Sequence, residues 1–142
     1  MKFRKILMLS LLCLLVMNMQ CNEDDNVVVP CGLEVVIDAV AYQAAESHAI
    51  DSAIINDDCL ALIVSGSGCD ASTWLMSLID SGNVAESFPN QRYLKLTLHN
   101  NEDCLAVFNK EENFDLTALR IEGTNEVLLN IEGLEESILY SY

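Results

Sequence analysis

Residues 93–99 read YLKLTLH, an uninterrupted alternation of apolar and polar side chains. In a β-strand, successive side chains point to opposite faces, so the three leucines share one face and the lysine, threonine and histidine share the other. A period of two, rather than the 3.6 of a helix, is typical of a strand with one buried face. This heptapeptide therefore predicts a β-strand at the centre of the fold.

Several other short runs have the same β-prone character, and stretches rich in Gly, Asn, Asp and Ser separate them. The runs cover residues 33–38, 59–64, 73–79, 104–108, 126–131 and 137–142, with residues 48–56 as a further candidate. The separating turns are residues 56–58, 65–68, 81–83, 100–103 and 123–125, and the best helix candidate is the short segment 39–47. Because no connection is long enough for a crossover helix, the pattern predicts an all-β, antiparallel sandwich of about seven or eight strands.

The order Cys59, Trp74, Cys104 resembles that of an immunoglobulin-like domain, in which a buried tryptophan packs on a disulfide that joins two sheets. The second interval is shorter than in antibody domains, and Glu102 stands where a tyrosine corner would have tyrosine. The resemblance is of low specificity, because any buried tryptophan in a sandwich produces the same order. It implies an immunoglobulin-like arrangement of the strands.

The first residues are typical of a secretory signal peptide. Residues 1–5 (MKFRK) carry three of the seven basic residues, and residues 6–17 carry no charge. An apolar run of this length is shorter than the roughly 20 residues that a membrane-spanning helix needs. A buried N-terminal helix is the alternative, but the run has no polar face. We therefore expect residues 1–20 to be a signal peptide.

Cys21 follows the apolar run and is itself followed by Asn-Glu-Asp-Asp. This resembles a bacterial lipoprotein signal, in which the cysteine thiol is acylated and becomes the mature N-terminus. Met-Asn-Met-Gln occupies residues 17–20, where the usual lipobox has leucine and small residues. The resemblance implies lipidation of Cys21. Residues 22–30 are acidic and then apolar up to Pro30, which predicts a short tether over residues 21–30 and a domain over residues 31–142. Plain secretion with an unpaired Cys21 is the alternative.

The chain is strongly acidic and apolar at once. Its 142 residues contain 7 Lys+Arg and 22 Asp+Glu, a net charge of −15, with 51% hydrophobic residues. Removal of residues 1–20 leaves four basic residues against 22 acidic ones, or 4 − 22 = −18. Such a charge argues against nucleic acid as a partner and against attraction to anionic head groups. Acyl chains, rather than charge, would have to hold the domain at a membrane.

Four cysteines remain once Cys13 leaves with the signal and Cys21 carries lipid. An even number in an exported chain predicts two disulfides among Cys31, Cys59, Cys69 and Cys104. If residues 33–38 pair antiparallel with residues 59–64, Cys31 approaches Cys69, and the immunoglobulin-like arrangement implies that Cys59 lies near Cys104. The predicted bridges are therefore Cys31–Cys69 and Cys59–Cys104. Zinc binding is disfavoured because there is no Cys-x-x-Cys pair and neither histidine lies at ligand spacing. Free buried thiols are the other alternative.

The sequence predicts no catalytic residue, resident metal or cofactor. His48 and His99 have no triad-like partners, and residues 65–69 (SGSGC) do not match the Gly-x-Ser-x-Gly pattern of a nucleophile elbow. We therefore expect both histidines to be exposed and structural. The acidic turns Asp57-Asp58 and Glu102-Asp103 offer oxygens that calcium prefers, but they lack the spacing of an EF-hand.

Taken whole, the chain resembles small uncharacterised surface lipoproteins of Bacteroidetes, of the flavobacterial type. The features that carry the resemblance are CNEDD from Cys21, CGLEVVIDA from Cys31, SGCD from Ser67, QRYLK from Gln91, and the stretch from Phe114 to Tyr140. It implies an address at the outer membrane or cell surface and does not assign an activity.

We therefore expect a lipid-anchored, acidic, disulfide-stapled cell-envelope domain that binds or displays an envelope protein or a small ligand. Three alternatives stay open: a small extracytoplasmic hydrolase, a calcium-dependent binding module and a purely structural envelope component.

Overall fold

Residues 91–99 form a central strand of one sheet, as the alternation predicts. The computed structural model describes residues 30–142, so the predicted signal peptide, Cys21 and nearly all of the tether lie outside the described residues. Nine strands are present: β1 (Leu33–Glu34), β2 (Val36–Ile37), β3 (Ser52–Asn56), β4 (Cys59–Gly68), β5 (Leu75–Ala85), β6 (Gln91–His99), β7 (Ala106–Asp115), β8 (Glu126–Glu132) and β9 (Ile138–Ser141). One short helix, α1 (Ala39–Ala44), and two 3₁₀ turns (Ala71–Thr73 and Thr117–Leu119) complete the described part.

The strands form two facing sheets, which confirms the prediction of an all-β sandwich. One sheet has the order β1-β7-β4-β3 and the other has the order β2-β5-β6-β8-β9. Between them lies a core of fully buried side chains, including Leu60, Leu62, Leu94, Leu96, Phe114 and Leu129. Between residues 30 and 142, no helix is long and apolar enough to cross a membrane.

The prediction of purely antiparallel sheets is wrong, because both sheets are mixed. The pairs β1–β7, β2–β5 and β6–β8 run parallel. The crossover from β6 to β8 passes through β7, which belongs to the opposite sheet, so a strand takes the place of the crossover helix. The predicted strand 33–38 is likewise divided, since β1 joins one sheet and β2 joins the other.

Two glycine-containing stretches that the sequence predicts as turns lie inside long strands. Gly66 and Gly68 lie in β4, where an added Cβ at either position would come within 2.9 Å of the indole of Trp74. Gly66 and Gly68 therefore leave space for the buried ring of Trp74 and do not form a turn. Residues 81–83 form an irregularity within β5, where the pairing register with β6 shifts and Gly82 has a φ of 75°.

All four predicted cysteines form disulfides, but the predicted pairing is wrong. The bridges are Cys31–Cys59 and Cys69–Cys104, with Cα–Cα distances of 5.8 and 5.0 Å. Because β1 runs parallel to β7 rather than antiparallel to β4, Cys31 meets the start of β4. Cys69 follows the other end of β4, about 30 Å away along a ten-residue strand.

Each bridge closes a loop and should therefore stabilise the fold independently. The loops span 28 and 35 residues, for which the chain-entropy model gives about 3–4 kcal/mol per bridge. We expect the double variants C31S/C59S and C69S/C104S each to lose about this much unfolding free energy in urea titrations. Non-reducing peptide mapping provides the control, and a peptide that joins Cys31 to Cys69 would contradict this topology.

Candidate functional site

His48 does lie near a serine and an aspartate, but not in the arrangement that nucleophilic catalysis needs. Its Nε2 is 3.0 Å from the backbone oxygen of Ser65, whereas the Ser65 hydroxyl donates to Asp51 Oδ2 at 2.5 Å. A general base must face the hydroxyl that it deprotonates. His48 instead ties two backbone segments together. His99 is exposed, with its Nε2 2.9 Å from the side-chain amide of Asn101.

In the acidic turn before β4, the carboxylate of Asp58 accepts hydrogen bonds from two side chains of the protein. Asp58 Oδ1 accepts from the Tyr140 hydroxyl at 2.5 Å and from Arg120 Nη2 at 2.6 Å. These two hydrogen bonds, with that of Tyr140 the stronger, lower the pKa of Asp58. Burial, and then the hydrogen bond to Asp58, raise the pKa of Tyr140 to about 12. The network therefore fastens the last strand to the start of β4.

The second acidic turn holds its carboxylate in a nest of donors beside the tryptophan. Glu102 Oε2 accepts from the backbone N–H groups of Cys69 and Asp70 at 2.5 and 2.9 Å and from Trp74 Nε1 at 3.3 Å. Its other oxygen accepts from the Thr73 hydroxyl at 2.7 Å. The Asp70 N–H contributes most to lowering the pKa of Glu102 to about 2. Glu102 therefore fixes the β4–β5 connection. Between residues 30 and 142, no group of three or more His, Cys, Asp or Glu side chains is placed to hold a metal ion.

Protonation of Glu102 should loosen this connection in acid. Its folded pKa of about 2 lies below the usual 4.5, so its contribution to stability is complete above pH 4.5 and is lost as the pH falls toward 2. We expect E102Q to be less stable at neutral pH and to show a flatter stability profile between pH 4.5 and 2. Urea unfolding followed by fluorescence of Trp74, the sole tryptophan, measures this.

Asp103 provides the matched control, because it is an exposed acid beside Glu102. D103N should keep the wild-type profile in the same titration. An E102Q profile as steep as that of the wild type would contradict the role assigned to Glu102.

A buried ion pair lies inside the sandwich near the irregularity of β5. Arg92 Nη1 is 3.1 Å from Asp80 Oδ1, and Arg92 Nε donates to the backbone oxygen of Leu119 at 2.9 Å. Asp80 is fully buried, and its Oδ2 has no hydrogen-bond partner among the described residues. Burial raises the pKa of Asp80. This pair joins β5 and β6 to the 3₁₀ turn at Thr117–Leu119.

The cations of the described part are all engaged with carboxylates. Four ion pairs within 4.0 Å account for every Lys and Arg between residues 30 and 142: Arg92–Asp80, Lys95–Glu132, Lys110–Glu112 and Arg120–Asp58. The same range holds 19 carboxylates, the 22 of the chain less the three at residues 23–25, so most have no cation beside them. Among residues 30–142, most carboxylates therefore have no cation within 4.0 Å, whereas every Lys and Arg lies within that distance of a carboxylate.

A cleft opens where the outer edges of the two sheets face each other, and we call it the β3–β9 cleft. It has a volume of about 520 Å³ and lies between the start of β3 and the turn that joins β8 to β9. Its lining consists of Ile50, Asp51, Ser52, Ala53, Gly133, Leu134, Glu135, Glu136 and Ile138. Ile50, Ala53, Leu134 and Ile138 are half-buried and pack against the core, so they form an apolar floor.

Carboxylates form the rim of this cleft. Asp51, Glu135 and Glu136 are exposed, and none lies within 4.0 Å of a cation in residues 30–142. Polar atoms make up more of the exposed lining than apolar atoms do, so the cleft is an acidic groove with half-buried apolar side chains at its base. The β3–β9 cleft is therefore the candidate functional site.

Specific contacts fix the position of one wall of the cleft relative to the other. The Ser47 hydroxyl donates to Glu132 Oε1 at 2.7 Å, which ties the segment before β3 to the end of β8. Gly133 follows with a φ of 100°, and a Cβ there would lie 3.0 Å from the backbone oxygen of His48. Glycine therefore lets the β8–β9 turn approach the segment before β3 closely.

Local sequence pattern does not predict this site, although His48 and the candidate strand at residues 48–56 lie beside it. The floor and rim come from residues about 80 positions apart, which only the sandwich brings together. One local signal is present: Gly133-Leu134-Glu135-Glu136 places two carboxylates and a leucine in a turn. Acidic residues in a surface turn are equally well explained by solubility. The four-residue pattern also does not indicate that the turn lies beside β3.

Comparisons with known proteins identify the fold. No family model and no curated protein matches the chain. The structure resembles a protein of unknown function, DUF1344, from Bacteroides vulgatus, with a TM-score of 0.52 and 13% identity over 78% of this chain and 56% of the other. It also resembles a NigD-like immunity protein from Bacteroides caccae, with a TM-score of 0.51 and 9% identity over 78% of this chain and 64% of the other.

These similarities show a shared fold in proteins from Bacteroidetes, and neither description names an enzyme. The chain spans less than two thirds of the length of either structure. At such low identity the likeness carries no assignment of activity, because one fold supports many functions.

Proposed function

We propose that the protein is a lipid-anchored binding domain of the bacterial cell envelope and that the β3–β9 cleft is its binding surface. The observation that carries the proposal is the composition of the cleft, in which side chains of the core reach the surface between exposed carboxylates. A partner with cations and apolar side chains would complement both the carboxylates and the apolar base of the cleft. A partner that covered the floor would remove apolar surface from water, which favours binding.

Sequence features at the N-terminus and the disulfides support an address outside the cytoplasm. A basic start, an uncharged run and a cysteine followed by acids precede the domain. Disulfides at both ends of β4 are stable in oxidising compartments and rare in reducing ones. An acyl chain on Cys21 would overcome the repulsion between an acidic domain and anionic lipids.

The position of residue 30 supports an orientation that leaves the cleft accessible. Pro30 lies beside Asp115, Thr117 and Ala118, at the end of the sandwich where β3 finishes. The cleft lies at the start of β3. A tether over residues 21–30 spans at most about 35 Å, so an anchor at Cys21 would hold the Pro30 end toward the membrane. The cleft would then face away from it.

The geometry favours binding over the two alternatives with chemistry of their own. A serine hydrolase needs a hydroxyl directed at an imidazole, whereas the Ser65 hydroxyl is directed at Asp51. A calcium site needs free carboxylate oxygens, whereas Asp58 and Glu102 accept hydrogen bonds from protein donors. Both acidic turns therefore serve the fold.

One experiment in intact cells tests both parts of this proposal. Cells that produce the full chain receive an alkyne-tagged fatty acid, and a photo-reactive benzophenone residue replaces Ser52 in the cleft. We expect the protein to take up the fatty acid and C21A to lose it and to be released from the membrane. Labelled C21A would show that Cys21 is not the anchor.

Illumination of the same cells reports on the cleft. Benzophenone at residue 52 should give a discrete cross-linked adduct, and benzophenone at Ser67, an exposed position on β4, serves as the matched control. The adduct should weaken when Glu135 and Glu136 become lysine. Equal adducts from residues 52 and 67, or none from residue 52, would contradict the cleft as the binding surface.

A further inference from the structure

Resting on the proposed function, we infer that the β3–β9 cleft takes an extended, cationic segment of a partner protein, which pairs with the free edge of β3 as an additional strand. Three observations carry this inference: the open strand edge, the apolar floor and the charge of the rim. Each restricts the occupant in a different way.

The edge of β3 offers backbone hydrogen bonds. β3 is the last strand of its sheet and pairs only with β4 in the described part of the chain. In an antiparallel ladder, every second residue directs its N–H and C=O away from its partner. An exposed edge of this kind is a template for another strand, and the addition of a peptide strand is a common mode of recognition.

The floor restricts the side chains of the occupant. Successive residues of an added strand point to opposite faces, so every second one would lie toward Ile50, Ala53, Leu134 and Ile138. Those positions suit apolar side chains, because the floor belongs to the core. The intervening positions would face solvent. An occupant that alternates apolar and polar residues therefore fits this edge.

The rim fixes the charge of the occupant. Asp51, Glu135 and Glu136 line the cleft, and the described cations are already paired with carboxylates. A second copy of this chain would bring more negative charge and no unpaired cation from residues 30–142. A partner with lysine or arginine at its polar positions would complement the rim.

A synthetic peptide tests the inference directly. The probe is an acetylated and amidated heptapeptide of alternating valine and lysine, titrated into the purified full-length protein by calorimetry. We expect saturable binding that weakens as NaCl increases, because the attraction of exposed charges is screened by salt. The variant E135K/E136K should bind about tenfold more weakly.

The control variant E86K/E122K makes the same change in net charge at exposed positions outside the cleft. It should bind the heptapeptide within about twofold of the wild type, since distant exposed charges are screened. An equal loss of affinity in both variants would show attraction to overall charge and would overturn the inference.

Changes to the peptide keep the test independent of how any variant folds. A peptide with an N-methyl group on every backbone amide cannot donate to a strand edge, and one with glutamate in place of lysine cannot complement the rim. We expect neither to bind. Full affinity of either peptide, or no binding of the valine–lysine peptide, would overturn the inference. Adducts specific to residue 52 would then still support the proposed function with another occupant.

Discussion

The ten-residue ladder between β4 and β7 is the constraint on which the rest of the fold depends. It runs from Cys59 opposite Asp115 to Gly68 opposite Ala106, and a disulfide holds β4 at or next to each end. A strand that is clamped at both ends has a fixed register. In this register β3 pairs with one edge of β4, and Gly66 and Gly68 lie against the indole of Trp74.

The cleft follows from the same constraint. β3 is held by β4, and the β8–β9 turn is held by contacts of Glu132 and Gly133 to the segment before β3. The two walls therefore belong to different sheets whose spacing the core sets. A site of this kind is largely formed before a ligand arrives, so binding would not have to order the walls. Among residues 30–142, the acids on its rim have no hydrogen-bond partner to replace, apart from Asp51 with Ser65.

Local pattern predicted the strands, whereas contacts between distant residues decided the rest. The alternation over residues 93–99 identified β6 because burial of one face leaves a period of two in the sequence. The participation of four cysteines followed from their number. Their pairing depended on whether β1 lies beside β7 or beside β4, which no local pattern encodes. Gly66 and Gly68 were misread because a glycine required by a distant indole looks the same as a glycine required by a turn. The cleft was missed for the same reason, since its two walls meet only in the folded chain.

Residue-resolved amide hydrogen exchange tests the central claim most directly, because it observes the free edge of β3 itself. Exchange would be followed by NMR on the full-length protein, with and without a saturating cationic strand peptide. We expect slower exchange at the alternate β3 amides that face away from β4, with little change on the outer face of the other sheet. Unchanged exchange throughout Ser52–Asn56 in the saturated complex would contradict it.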